Sequence, residues 1–296
     1  MLRLIHQLFA SEPNKDQSPE NQRADAGEAP APPQEAKDSQ LNVYNIVQMN
    51  QMTPAVFDAI RFDPNNTCNL HCVYCHNHRS EDTIAEGDLR TFLYNKVLGV
   101  NLFQVGCIME PTLDTRLADL MLVIAQSPAK PNTLMLQTNG ILLHRHDTAK
   151  FRDAGLNLLS VSVDAAEPST QKELRNGTSL DKVIRNLDSF RGAVPQATVD
   201  FITTVTTSNV GKMIPLVDLG LKHGVTRFVF REVFYYPDNN VVDHSRMPAL
   251  LLTEGQFNTM KQEVLARFDG QADFVFSDGK TLETSLKKMK ADSFRN

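Results

Sequence analysis

The sequence predicts an α/β fold, a partial (β/α)6 TIM-like barrel, on three observations. Runs rich in apolar and β-branched residues recur at 56–63, 102–107, 133–138, 156–164, 198–206 and 227–234. Longer segments with helical spacing separate them, which implies parallel strands and right-handed crossovers. Six units are too few for a closed eight-fold barrel, so the sheet is expected to curl only part of the way round. In such folds the active site lies at the C-terminal ends of the strands.

The elements follow in chain order. Within residues 1–10, Leu2, Ile5 and Phe9 share one helical face, but a single Arg and the interruption by His6 and Gln7 argue against a secretion signal. A loosely ordered terminus is the expectation. Residues 11–40 hold five prolines, seven acids, three basic residues and no Val, Ile, Leu or aromatic. Such a segment buries too little apolar surface to offset its ordering entropy. Residues 1–43 therefore read as a disordered acidic tether, 44–235 as the barrel, and 236–296 as an extension that closes its open side. Helices are expected at 89–98, along the stripe Leu117, Leu120, Met121 and Ile124, at 141–151, along Leu180, Val183, Ile184 and Leu187, and along Ile214, Val217 and Leu221. Gly99, Gly155 and Gly224 sit where helix-ending glycines belong. The extension is expected to hold a helix near 254–268, a short strand at 274–276 and a Lys-rich final helix.

Composition narrows the function. The chain has 296 residues, 41% of them apolar and 22% charged, and a net charge of −5. With no basic excess, nucleic acid is not the expected partner. The longest apolar stretches fall well short of a membrane span, and the one at 117–125 contains Asp119. Three of the four cysteines are clustered, which suits metal ligands in a reducing compartment, the cytoplasm, better than disulfides.

Those three are Cys68, Cys72 and Cys75, spaced CxxxCxxC in the loop after the first strand. Three nearby thiolates can hold three irons of a [4Fe-4S] cube, leaving the fourth iron open to bind and activate a small molecule. Zinc is the alternative, with His71, His76 or His78 as the fourth ligand. Structural zinc usually takes two CxxC pairs, and the sequence holds no second pair.

The stretch CNLHCVYC, with Tyr74 before the third cysteine, resembles the cluster motif of the radical S-adenosylmethionine (SAM) superfamily. The resemblance extends over roughly 56–235. Glu110-Pro111, after Gly106, is similar to the family's GGEP element, although its glycines differ. Gln137-Thr138-Asn139-Gly140 looks like its TNG turn. Ser160-Val161-Ser162-Val163-Asp164, with Arg175 beyond, resembles its strand-four element. Thr204 and Arg231 end the fifth and sixth strands.

The resemblance implies a [4Fe-4S] cluster on Cys68, Cys72 and Cys75. It implies SAM held by Tyr74, Glu110, Thr138, Asn139, Ser162, Asp164, Arg175, Thr204 and Arg231. It also implies an electron donor such as flavodoxin or ferredoxin. Reductive cleavage of SAM then yields a 5′-deoxyadenosyl radical that abstracts hydrogen from the substrate. Cys107, at a strand end, is a candidate hydrogen donor to a substrate radical, though free cysteines often serve only as small core residues. The loops at 76–79 and 231–246 are expected to choose the substrate. No auxiliary cysteine cluster follows residue 107. The expected function is hydrogen abstraction from a small metabolite or natural-product intermediate. The alternatives are radical modification of a peptide or protein side chain, and a zinc-stabilised binding protein without catalysis.

Overall fold

The computed structural model describes residues 5–6, 8–10, 43–44, 46–235, 239–241 and 243–277. Most of the expected tether, Tyr236 to Asp238 and the expected final helix lie outside the described residues. The main parallel strands are β1 (Ala55–Phe62), β2 (Val97–Val105), β3 (Thr133–Thr138), β4 (Leu158–Ser162), β5 (Thr198–Val205), β6 (Arg227–Glu232) and β7 (Asp273–Ser277). The helices are α1 (Ile46–Gln51), α2 (Glu86–Asn95), α3 (Leu117–Ala125), α4 (Thr148–Asp153), α5 (Pro168–Leu174), α6 (Leu180–Ala193), α7 (Met213–Lys222), α8 (Met247–Leu250) and α9 (Glu254–Phe268).

Spatial order follows chain order from β1 to β7, every neighbouring pair being parallel. An unbroken order with right-handed crossovers puts the helices on one face and curls the sheet around the other. The result is a half-barrel. Alternation along each strand supplies both faces. Phe57, Ile60 and Phe62 of β1, Phe103 and Val105 of β2, and Phe228 and Phe230 of β6 join the core beneath the helices. Ala59, Leu102, Met135 and Leu158 form a separate apolar floor inside the curl.

Three expectations change. The second strand starts at Val97, not near Leu102, because 97–100 pairs with 55–57 of β1. The preceding helix therefore ends at Asn95, and Gly99 lies inside the strand, against the Val56 side chain. The helix expected over 141–151 is a 3-10 turn, Leu143–Arg145, followed by the short α4. Asp147 divides them, since its carboxylate accepts the Ala149 N–H at 2.9 Å and caps α4. The sheet also exceeds six strands. β7 pairs with β6, and Leu8–Ala10, within the expected loose terminus, pairs antiparallel with β1.

Local chemistry explains how the last unit docks. Thr253 and Gln256 form a capping box that starts α9. Phe274 stacks on Phe228 with ring centroids 5.7 Å apart, and Phe276 on Phe230 at 5.4 Å. Phe257 and Phe268 of α9 cover this ladder. Phe228 and Phe230 are fully buried, each contributing about 1.5–3 kcal/mol, and the half-buried Phe274 and Phe276 add a smaller share that fixes the strand to the sheet edge. No helix among the described residues is long and apolar enough to cross a membrane.

Candidate functional site

The loop between β1 and α2 carries Cys68, Cys72 and Cys75, all free and half-buried. Its shape is set by neighbours. His71 and Cys72 pair antiparallel with Asn176 and Arg175, and the Val73 N–H donates to the Leu174 carbonyl at 3.0 Å. The Arg79 guanidinium donates to the Cys68 carbonyl at 2.9 Å and also to that of Leu70, so it braces the loop. The Leu70 N–H points at Cys68 Sγ, 3.5 Å away, the kind of amide contact that tunes a cluster sulfur. Burial pushes the Cys68 thiol up and the Cys72 thiol up to about 11, so thiolates here need a metal's positive charge beside them. The donor set here, three cysteines at this spacing in one loop, fits three irons of a cube.

The end of β2 is built by two buried carboxylates. Gly106 turns there at φ 81°, where a Cβ would lie 2.2 Å from the Gln137 carbonyl oxygen. Asp63, just past β1, accepts the N–H groups of Cys107 at 2.8 Å and of Ile108 and Met109 at 3.3 Å each. Burial raises its carboxyl from 3.8 to about 6 despite those donors. Glu110 Oε1 accepts from Thr112 N at 3.1 Å, Thr112 Oγ1 at 2.5 Å and Thr138 Oγ1 at 2.6 Å. Its Oε2 accepts the Asn139 N–H at 2.7 Å. Glu110 thus straps the end of β2 to the turn after β3, with one acceptor position left on Oε2. Asn139 carries the strap onward, its Nδ2 donating to Asn69 Oδ1 of the cysteine loop at 2.8 Å. Thr138 and Asn139 are therefore engaged within the protein.

Asp63 gives a pH prediction. Folded and unfolded chains are both protonated at this group below about pH 4, and above about pH 6 the folded chain must hold a buried charge. The rise from 3.8 to about 6 corresponds to about 3 kcal/mol lost as pH climbs through that window. The unfolding free energy of the wild type relative to Asp63→Asn should fall by that amount between pH 4 and 7 in urea titrations. A pH-independent difference would contradict the assignment.

The end of β4 carries a second cluster of contacts. Asp164 accepts from Arg175 Nε at 2.8 Å and Nη2 at 3.1 Å, from the Tyr74 hydroxyl at 2.5 Å and from Thr204 N–H at 2.9 Å. Arg175 also lies over the Tyr74 ring, 5.8 Å from its centroid. Burial opposes the Arg175 charge, but Asp164 and Tyr74 outweigh it and hold the guanidinium above its ordinary value. The Arg175 guanidinium, which the resemblance assigns to SAM, thus gives two of its N–H groups to Asp164. Tyr74, Asp164, Arg175 and the Thr204 backbone form one latch that ties the cysteine loop to β4 and β5. The Ser162 and Thr204 side chains face the inside of the barrel by strand alternation, Ser162 in register with Ile202 and Thr204 two residues further along β5.

Cys107 and Arg231 belong to neither group. Both lie inside the barrel. Burial, then the charge of Asp63, pushes the Cys107 thiol up to about 12, against the pull of Arg61 and Arg231. The expected substrate loops touch each other through described residues. Asn239 Nδ2 donates to the His76 carbonyl at 2.8 Å, and His78 Nε2 lies 2.7 Å from Asn240 Oδ1. Sequence reasoning passed over Arg61, Asp63 and Asp200. Their signal was charge at alternate positions of otherwise apolar strands.

The comparisons agree with this geometry. The family model described as Radical SAM superfamily matches residues 63–220. A protein from Methanococcus maripaludis named probable GTP 3′,8-cyclase is 32% identical over 126 residues, which is 41% of this chain and 41% of its own length. The GTP 3′,8-cyclase of Yersinia pestis is 28% identical over 150 residues, 49% of this chain and 45% of its own. In both cases the matched segment spans less than half of the relative. Among solved structures, Streptococcus suis SuiB bound to S-adenosylmethionine superposes with a TM-score of 0.59 at 15% identity, covering 78% of this chain and 53% of that one. The protein anSMEcpe, with bound AdoMet and a peptide, gives 0.57 at 18% identity, covering 75% and 63%. At these identities the likeness concerns the fold.

Proposed function

The chain belongs to the radical SAM superfamily, and we propose that Cys68, Cys72 and Cys75 hold its [4Fe-4S] cluster over the barrel mouth, with a small metabolite as substrate. The observation that carries this assignment is the pairing of Cys72 with Arg175, which clamps the cysteine loop above the ends of β4 and β5. Reduced and bound together, the cluster and SAM supply a 5′-deoxyadenosyl radical that removes a hydrogen atom from a C–H bond.

The chain's own residues orient and enclose. The latch on Asp164 fixes the loop that presents the thiolates. Ser162, Thr204 and the remaining acceptor position of Glu110 offer polar contacts to SAM at the strand ends. The loops joined through His76, His78, Asn239 and Asn240 cover the mouth and keep water from the radical. The electron donor, a flavodoxin or ferredoxin, approaches the flank where Cys72 and Cys75 line an open cavity of about 650 Å³ with Lys172 and Arg246. Cys107, held as a neutral thiol, returns a hydrogen atom to the substrate radical, leaving a thiyl that the donor reduces with uptake of one proton. The relatives named GTP 3′,8-cyclase support a small-molecule substrate over a peptide.

Anaerobic reconstitution tests this reading. About four irons and four sulfides per chain are expected, with 5′-deoxyadenosine formed on adding reductant and SAM. One zinc without sulfide sinks it. Deuterium moving into 5′-deoxyadenosine from a labelled metabolite, and not from a labelled peptide, supports the small substrate. Cys107→Ala should keep its iron and accumulate 5′-deoxyadenosine without product. Product at the wild-type rate would remove Cys107 from the reaction.

A further inference from the structure

The inside of the barrel is charged where a packed core would be apolar. Arg61 on β1, Asp200 on β5, and Arg227 and Arg231 on β6 each alternate with residues that pack beneath the helices. Strand alternation therefore turns all four inward, above the floor of Ala59, Leu102, Met135 and Leu158. Arg61 is held in place, its Nε donating to Gln104 Oε1 at 3.1 Å while Gln104 Nε2 reaches Gln137 Oε1 at 3.1 Å. The Arg231 side chain makes no hydrogen bond or ion pair with any described residue, while its backbone is paired with β5 and β7. Burial, then the charge of Arg61, lowers its pKa, with Cys107 and Asp200 only partly opposing. The nearby Asp63 carboxylate is occupied by three backbone N–H groups. Deeper still, Asp200 is buried, its Oδ1 accepts no hydrogen bond among the described residues, and the charge that acts on it most strongly is that of Arg227, its neighbour in register on β6. Ser160, beside it in register on β4, has a buried Oγ that is likewise unpartnered.

A buried carboxylate oxygen and a buried hydroxyl that make no hydrogen bond, beside two inward arginines, cost several kcal/mol together. A scaffold that only needed to fold would fill these positions with Val or Leu. We propose that the barrel lumen is the substrate's seat, with Arg231 and Arg61 holding an anionic group of the substrate, phosphate or carboxylate, and Asp200 and Ser160 taking hydrogen bonds from donor groups of the same molecule. The inference rests on the radical SAM reading, which puts the reacting carbon just above this level. It places Arg231 with the substrate and not with SAM, and it makes the substrate a small polar anion. The charges of the same two guanidiniums act on Cys107.

Isothermal titration of the reconstituted, SAM-loaded protein with inorganic phosphate, and separately with succinate, tests the inference and distinguishes the two anions. One saturable site is expected for at least one probe. Arg231→Gln should weaken it about tenfold or more, and Arg231→Lys should recover part of the loss. Arg90→Gln, on the exposed face of α2, should bind as the wild type does. Iron and sulfide contents report whether each variant is assembled. Absence of binding to the wild type, or equal binding by Arg231→Gln, overturns the proposal. 5′-Deoxyadenosine formation in the same preparation separates the two readings. SAM cleavage without anion binding sinks the lumen site alone, and Arg231-dependent binding without cleavage sinks the radical chemistry alone.

Discussion

Cys72→Ala is expected to remove the cluster and all SAM cleavage. A cube on three thiolates has no ligand to spare, because the fourth iron is already open for SAM. Cys72 is also the ligand whose backbone is paired into a two-stranded ladder, so its sulfur position is fixed from both sides. No other thiol substitutes for it. Cys107 lies beyond β2 inside the barrel, and burial keeps its thiol neutral, pushed up to about 12. Iron per chain should fall from about four to near zero, with loss of the absorption near 400 nm and of 5′-deoxyadenosine. The apo chain should be almost unaffected, with urea unfolding within about 1 kcal/mol of wild type, since a half-buried thiol packs little. A variant that keeps four irons, or that still cleaves SAM, would remove Cys72 from the ligand set.

How much of this was legible in the sequence depends on the range of the interactions involved. The alternation of strands and helices is local, and it gave the half-barrel and the end at which the cysteines lie. The start of β2 was missed because Val97 to Val100 carries helix-compatible residues, and only pairing with β1 decides for a strand. β7 was foreseen as a short strand, but its place beside β6 comes from the Phe228, Phe230, Phe274 and Phe276 ladder, a contact across more than forty residues. At the site, Cys68, Cys72 and Cys75 could be read from spacing alone. The partners of Glu110, Asp164 and Arg175 could not, because both ends of each contact are set by the fold. The resemblance assigned Arg175 and Glu110 to SAM, and the structure adds that Glu110 accepts four hydrogen bonds and Arg175 gives two of its five N–H donors in holding strand ends together.

Asp164→Ala is expected to have the largest effect on stability. Asp164 is fully buried and accepts four hydrogen bonds, two of them from Arg175, whose side chain is only 10% exposed. Truncation leaves the guanidinium charged and unpaired in the interior, and it strands the Tyr74 hydroxyl and the Thr204 N–H. Removing one member of such a buried pair costs about 3–5 kcal/mol. The attraction within the intact pair is not the source of that cost, because desolvating two charges offsets much of it. The double variant Asp164→Ala/Arg175→Met should therefore recover more than half of the loss, since it removes the orphaned charge and fills the space with an apolar side chain. Cluster retention should behave differently. Arg175 presents its backbone to Cys72, and Tyr74 sits between Cys72 and Cys75, so both variants loosen the loop that holds the irons. Both should lose iron faster than wild type to a chelator, even though the double variant unfolds at nearly the wild-type urea concentration. Equal destabilisation in the two variants would show that the cost lies in lost hydrogen bonds and not in the unpaired charge. Wild-type iron retention in both would show that the latch supports the barrel alone and has no part in positioning the cysteines.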